Sequence, residues 1–269
     1  MQNPTAVPRL ANIRLHPIKA LDPVSMSEAR IGPNGGLELD RVWALYSADG
    51  RWVNGKRTPA IHLIRAAYSS EVNSVTLTVP GDRREIPPMT FAFPLDTDGA
   101  SEWFSMYFEQ AVQVRYTRDG FPDDGLASGP TIVSTASLEA VCDWFPGMAL
   151  DEARRRFRAT LEIDGVPAFW EDQLFAASET SIVRFRIGEI AFEGSNPCAR
   201  CPVPSRDSSS GEVVNASFQL QFSELRRKHL PEWAPRERFD HFYRLSTNTR
   251  VPSTEFGKLL RVGDALSLT

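Results

Sequence analysis

Between Leu10 and about Val79 the apolar residues fall in short alternating runs, each cut off by a turn, and this pattern restricts the fold more than any other feature. Ala11 to Ile18 alternates apolar and polar side chains, which turns Ile13, Leu15 and Ile18 to one side of an extended chain. Pro33-Asn-Gly-Gly36 is a turn, because glycine takes positive φ without a Cβ clash. Val42 to Tyr46 and Trp52-Val53 flank Ser47-Ala-Asp-Gly50 as the arms of a hairpin, and Val75, Leu77 and Val79 alternate again. Many short strands with no helix between them predict a barrel or a strongly bent sheet.

The period changes further along. Trp103 and Tyr107 recur at helical spacing within Ser101–Gln110, with Ser101 as the expected N-cap and Glu102 in the first turn. A turn over Asp119 to Gly125 marks the division of the chain into two domains, 9–122 and 126–267. Beyond it come a strand at Thr131-Ile-Val133 and a helix from Ser137, with Leu138, Val141, Cys142 and Phe145 on its apolar face. That helix stops at Pro146-Gly147. Phe157 to Ile163 reads as a strand, Val183 to Phe192 as another, and Ala216 to Leu230 as a helix with Phe218, Phe222, Leu225 and His229 inward. The fold class expected is mainly β with helices (α+β), built as an N-terminal β-barrel-like domain and a second β domain.

Composition removes several functions. A net charge of −4 and an isoelectric point near 5.7 leave no basic footprint for nucleic acid. Three cysteines cannot all pair, so a reducing compartment is expected, with cytoplasm as its default. Met1 to Arg9 has no apolar core of a leader peptide, and no run reaches the length of a membrane span. The glycine-rich phosphate and dinucleotide motifs and the nucleophile elbow of serine hydrolases are absent.

The chemistry concentrates in Gly194 to Pro204, where Cys198, Arg200 and Cys201 sit among glycine and prolines. This composition predicts a loop of fixed shape rather than strand interior. Structural zinc would need about two more ligands, and Pro202 and Pro204 oppose the helix that a thioredoxin-type pair requires. A lone thiolate ligand or nucleophile beside Arg200 stays open, as does the plain reading of two small residues in a tight loop. Cys142 belongs to a helix's apolar face. Arg154, Arg155, Arg156 and Arg158 form a cationic cluster, and strand alternation would turn Arg156 and Arg158 away from Phe157. Guanidinium forks suit phosphate. Ser134, Thr135 and Ser137, at a strand-to-helix junction, offer a second anion site. Lys19, Lys56 and Arg57 add cations from the first half, so the ensemble points to a phosphate-bearing organic ligand. His16, His62 and His229 read as core or half-buried packing, and Glu171-Asp172 and Asp123-Asp124 as surface or turn carboxylates.

Five ordered segments carry a resemblance to a known family. Leu15-His-Pro-Ile-Lys-Ala20 and Gly36-Leu-Glu-Leu-Asp-Arg-Val-Trp-Ala-Leu45 are similar to the N-terminal β-barrel domain that precedes MOSC domains. Arg156-Phe-Arg-Ala-Thr-Leu-Glu-Ile-Asp164 with Glu171-Asp172-Gln173 resembles the R-F-R-x-N strand and E-D turn of the MOSC domain itself. Cys198-Ala-Arg-Cys201, followed by Asp207 and Gly211-Glu212, and the closing Arg261-Val-Gly-Asp264 complete the pattern. The chain thus resembles the amidoxime-reducing component and YcbX-like family across nearly its whole length.

The resemblance implies molybdenum cofactor held between two mainly β lobes. It implies Cys201 as thiolate ligand to molybdenum, and Lys19, Lys56, Arg158 and Arg200 as cofactor-binding cations. The neighbouring Arg57, Arg156, Ser134 and Thr135 join them as candidates, and Asp207 is a candidate for orienting substrate or relaying protons. Five positions depart from the family pattern: Ala20 and Ala199 replace serines, Thr160 an asparagine and Phe242 a tyrosine, while Lys56 replaces an arginine and keeps its charge but not its fork geometry. Thr160, Ala199 and Phe242 are kept as cofactor-binding positions. The implied reaction is reduction of an N-hydroxylated small molecule with electrons from a separate electron-transfer protein, since three cysteines cannot hold a four-cysteine cluster. The alternative is a carrier in which Cys201 holds cofactor or a persulfide. Pyridoxal phosphate enters only as a family-level association through the cofactor sulfurases.

Overall fold

The computed structural model describes residues 7–81, 86–123, 125 and 127–269. The first part of the chain contributes β1 (Arg9–Leu15), β2 (Val24–Met26), β3 (Glu28–Arg30), β4 (Trp43–Ser47), β5 (Arg65–Tyr68), β6 (Ser74–Thr78), β7 (Met89–Ala92), α1 (Thr97–Phe108) and β8 (Val112–Tyr116). The second contributes β9 (Ile132–Ser134), α2 (Thr135–Trp144), α3 (Leu150–Phe157), β10 (Leu161–Asp164), β11 (Val183–Ile187), β12 (Ile190–Ala199), α4 (Phe218–Lys228), β13 (Arg244–Arg250), β14 (Leu259–Arg261) and β15 (Leu266–Leu268). The fold is α+β with strands predominating, as the sequence pattern predicts.

The largest sheet has the order β15-β11-β12-β13-β9-β10-β1-β2. It rolls until one bridge, Arg9 to Ala265, brings the start of β1 back to the start of β15. Leu10 N–H donates to Asp264 O at 2.9 Å and Leu266 N–H to Pro8 O at 2.8 Å across that seam. The ladder does not continue there, so the sheet is held shut at one end rather than closed along its length. β1 pairs antiparallel with β10, which ties the start of the chain into the sheet of the second part. β9 and β10 run parallel, and a parallel pair needs a crossover, which α2 and α3 supply. Smaller sheets, β4-β8 and β5-β6-β7, pack with α1 around Trp43, Val75, Leu77, Trp103 and Phe104. Ile13, Leu15, Leu161, Phe185 and Phe192 fill the rolled sheet. Helices α2, α3 and α4 enclose a third cluster around Phe157 and Phe222.

Ile13, Leu15 and Ile18 are buried as the alternation predicts, and Tyr46 bridges Trp52 across the Gly50 turn. Four expectations are corrected. Helix α1 starts at Thr97, because Asp96 accepts from the N–H groups of Asp98 and Gly99; Ser101 lies inside the helix and its hydroxyl accepts from Val114 N–H at 2.9 Å. Phe157 to Ile163 is not one strand: α3 carries Arg154 to Arg156 in its last turn, Arg158 takes a left-handed C-cap at φ 53°, and β10 starts at Leu161. Acidic Asp151 and Glu152 in the first turn and arginines in the last suit the helix dipole. Gly194 to Ala199 is not loop but the end of β12, paired to β13 with bulges at Gly194/Asn196 and Pro197/Ala199, which accommodate the proline. A Cβ on Gly194 would stand 1.4 Å from the Leu174 carbonyl oxygen, so only glycine fits beneath that crossing chain. His229 is exposed, one residue past α4, with its ring tilted against Trp144 and the centroids 5.7 Å apart.

Candidate active site

A cleft of about 650 Å³ opens where the end of β12 meets the segments around β4. Cys198, Ala199, Arg200 and Cys201 line one side, and Lys19, Arg41, Trp52 and Lys56 the other. Arg156 and Arg158 also face it. The structure therefore brings together seven positions singled out from sequence: Lys19, Lys56, Arg156, Arg158, Ala199, Arg200 and Cys201. They arrive on several separate segments of the chain. Lys19 follows β1, and its backbone N–H is fastened to Trp43 O at 2.7 Å. Arg156 hangs from the last turn of α3, 6% exposed, with Nε donating to Glu152 Oε1 at 2.6 Å. Cys201 comes directly after β12, ahead of a single 3-10 turn at Val203–Ser205.

Two residues form the cationic floor, and sequence reasoning gave only one of them a role. Arg41 and Arg158 both take left-handed backbone, at φ 56° and 53°, a conformation that costs non-glycine residues energy and concentrates at functional sites. Arg41 Nη2 donates to the Arg158 carbonyl at 3.4 Å, while its Nη1 pairs with Asp40. Arg158 Nη2 donates to Leu21 O at 2.7 Å. Burial, then the neighbouring Arg41, push the Arg158 pKa down to about 10, so it remains charged at neutral pH. For Arg41 burial acts in the same direction, but Asp40 and Asp123 outweigh it and hold the proton more tightly. Arg41 lies within the Gly36 to Leu45 segment, where an arginine just ahead of an apolar strand was the available signal.

Other cleft residues escaped the sequence reading. Asn196 and Asn248 face each other in the β12–β13 register and both line the cleft. Their partnership across two bulged strands has no sequence signature. His62, read as packing, lines the cleft; burial lowers its pKa, and its Nε2 is buried without a hydrogen-bond partner among the described residues. Gly55 passes so close that a Cβ there would stand 2.6 Å from that nitrogen.

Several expected site residues are used elsewhere. Ser134 caps α2, its hydroxyl accepting from Ser137 N–H at 3.1 Å, and Thr135 donates to Glu162 Oε1 at 2.8 Å. Neither lines the cleft, so the strand-to-helix junction is closed as an anion site. Thr160, 1% exposed, sits behind the floor with its hydroxyl 3.5 Å from Arg41 Nη1. Arg57 is exposed outside the cleft. Phe242 stacks on Phe239 with ring centroids 5.6 Å apart. Asp207 closes its own turn: Oδ1 accepts from the Ser209 hydroxyl at 2.6 Å and from Ser209 and Ser210 N–H at 2.9 and 2.8 Å, and chiefly the hydroxyl lowers its pKa to about 2. Its nearest tie to the cleft is Arg156, 4.0 Å away.

The Glu171-Asp172 pair is not a surface feature. Both are buried, at 1% and 2% exposure; Asp172 pairs with buried Arg226, and Glu171 accepts from Ser137 Oγ at 2.9 Å. Asp123 stands at the cleft, whereas Asp124 lies outside the described residues.

The cleft thus combines a soft thiol with guanidinium and ammonium groups, the donor types that suit a thiophilic metal and an anionic group respectively. Comparison with known proteins gives the class. Residues 7–111 match the MOSC N-terminal beta barrel domain and residues 128–267 the MOSC domain; the latter spans more than half of the chain, which belongs to the MOSC domain family. Two relatives are similar along most of its length. Mitochondrial amidoxime reducing component 2 of Bos taurus is 25% identical over 241 residues, covering 76% of this chain and 68% of its own. Mitochondrial amidoxime-reducing component 1 of Danio rerio is 25% identical over 243 residues, covering 77% and 71%. No helix among the described residues is long and apolar enough to cross a membrane.

Proposed function

We propose that the protein binds molybdenum cofactor in this cleft and reduces N-hydroxylated compounds with electrons from a separate electron-transfer protein. The observation that carries the reading is the convergence of Cys201 with Lys19, Arg41, Lys56 and Arg158 on one cavity. The residues present fit the group. Cys201 would supply the thiolate to the metal, and the four cations would hold the phosphate. The buried, unpartnered Nε2 of His62 and the carboxamides of Asn196 and Asn248 offer polar contacts of the kind a pterin edge uses.

When bound, the cofactor supplies the two-electron redox change. The reaction consumes two electrons and two protons: an N-hydroxyl group becomes N–H and its oxygen leaves as water. This chain's own residues fix geometry and exclude solvent. Arg200 braces the end of β12 against the end of α3 by donating to the Phe157 carbonyl. Trp52 and Phe121, edge to face at 5.5 Å, line the cleft and offer an apolar surface to a small organic substrate.

The test is molybdenum content of the full chain purified from a host that makes the cofactor, followed by reduction of benzamidoxime with an artificial electron donor. Bound molybdenum with turnover supports the reading. Protein without molybdenum overturns it, and loaded protein without turnover leaves the carrier reading in its place.

A further inference from the structure

The ammonium of Lys19 is already surrounded. Nζ donates to the Phe121 carbonyl at 2.7 Å and to Asp123 Oδ1 at 2.9 Å, and it lies 4.2 Å from the centre of the Trp52 ring. A carbonyl, a carboxylate and an aromatic face thus occupy the directions in which an ammonium makes contacts. Of these three, the carboxylate is the one that resembles a phosphate oxygen. Asp123 lines the cleft from the connection between β8 and β9, not from a strand or helix.

The environment of Asp123 is that of a bound anion. What burial it has opposes its charge, yet Arg41, Lys19 and Lys56 hold its pKa down at about 2. Those three are among the four cations that the cleft offers to a phosphate. The side chain is nevertheless 67% exposed, so it can swing into water without stranding a charge in the interior. Lys19, at 12%, cannot leave so easily.

We propose that Asp123 is an internal competitor of the anionic ligand: its carboxylate occupies the phosphate position on Lys19 and must be displaced when a phosphate group binds. The proposal rests on the reading of the cleft as an anion site and not on its redox chemistry. It gives the connection a role in selectivity. A dianionic phosphate, able to engage Lys19, Arg41 and Lys56 together, outcompetes a single tethered carboxylate, whereas a lone carboxylate ligand gains little.

The experiment uses the full chain made in a host lacking molybdenum cofactor, with inorganic phosphate as the probe in calorimetric titration. Asp123→Asn removes the competing charge and keeps the side chain's size. Phosphate affinity is expected to rise roughly tenfold, the scale on which relief of one charge at a partly exposed site acts. Asp119→Asn, the same charge change on an exposed residue of the same connection, is expected to stay within about twofold of wild type. Equal or weaker phosphate binding by Asp123→Asn overturns the proposal, as does an equal gain in Asp119→Asn. So does a fall in melting temperature of Asp123→Asn with no gain in affinity, which marks a structural tie. Molybdenum content of the wild-type chain decides the cofactor reading separately.

Discussion

Arg200 donates from Nη1 to the sulfur of Cys198 at 3.2 Å, and from Nη2 to the Phe157 carbonyl. One guanidinium therefore links the end of β12 to the C-terminus of α3 and leaves Cys201, one residue further on, at the cleft surface. The two cysteines of the motif have different neighbours. The sulfur of Cys198 is held by Arg200, whereas Cys201 follows the end of β12 and lines the cleft just ahead of the turn at Val203–Ser205.

The different neighbours predict different phenotypes. Cys201→Ala is expected to purify with essentially no molybdenum, while Cys198→Ala stays near wild type, both read by elemental analysis of protein from one host. Equal loss in the two variants would contradict the assignment of the metal ligand.

Arg200 should act through position rather than contact. Arg200→Lys keeps the charge but loses the planar fork that ties the end of β12 to the Phe157 carbonyl at the end of α3. Molybdenum retention is expected to fall roughly 10–100-fold, as for other groups that hold a ligand in place. A thermal melt alongside separates this from unfolding.

The floor offers a second comparison. Arg158→Met removes a charge-assisted donor set worth about 1.5–3 kcal/mol, or roughly 10–100-fold in affinity for inorganic phosphate in the cofactor-free chain. Arg41→Lys is expected to lose a similar factor, because it must also serve Asp40.

Asp172 and Arg226 form a pair with 2% and 1% exposure, roofed by Phe169, whose ring centre is 4.1 Å from the guanidinium carbon. Asp172→Ala leaves a buried charge alone and should destabilise by about 3–5 kcal/mol in urea denaturation. The double variant Asp172→Leu, Arg226→Met should recover most of that loss. If the double variant is no better than the single one, unpaired charge is not the cause.

Glu171 sets a pH dependence of uncommon sign. Burial first, then Asp172, raise its pKa from the ordinary 4.5 to about 7. Between those values the folded chain holds a proton that the unfolded chain has released, so stability falls as pH rises from about 4.5 to about 7 and levels off above. Glu171→Gln should remove this slope, with a gain over wild type that grows across the window to the order of 3 kcal/mol. Denaturation midpoints at a series of pH values give the answer, and parallel profiles for the two proteins would refute it.

The strands of the first part were legible because alternation is local: Ile13, Leu15, Val75 and Leu77 need no knowledge of their partners to show which side is buried. The Phe157 to Ile163 segment misled for the same reason. Alternation of Phe157, Leu161 and Ile163 looks like one strand, yet the parallel pairing of β9 with β10 demands a crossover, and α3 takes Phe157 into it. Glu171 and Asp172 looked like surface because nothing nearby in sequence announces Arg226, 54 residues away. Lys19, Arg158, Arg200 and Cys201 were legible through short motifs with fixed spacing, whereas Ser134 and Thr135 had the right chemistry but were consumed by a helix cap and by Glu162.

The sequence by itself determined the strand-rich class, the pattern of the family and the thiol with its basic companions, since these depend on residue type and short spacing. Only the tertiary structure decided which cations share a cavity with Cys201, that Arg41 belongs among them, and that Asp123 already sits on Lys19. Charges meet across distances set by the rolling of the sheet and the path of the connection, and a linear pattern holds no record of either.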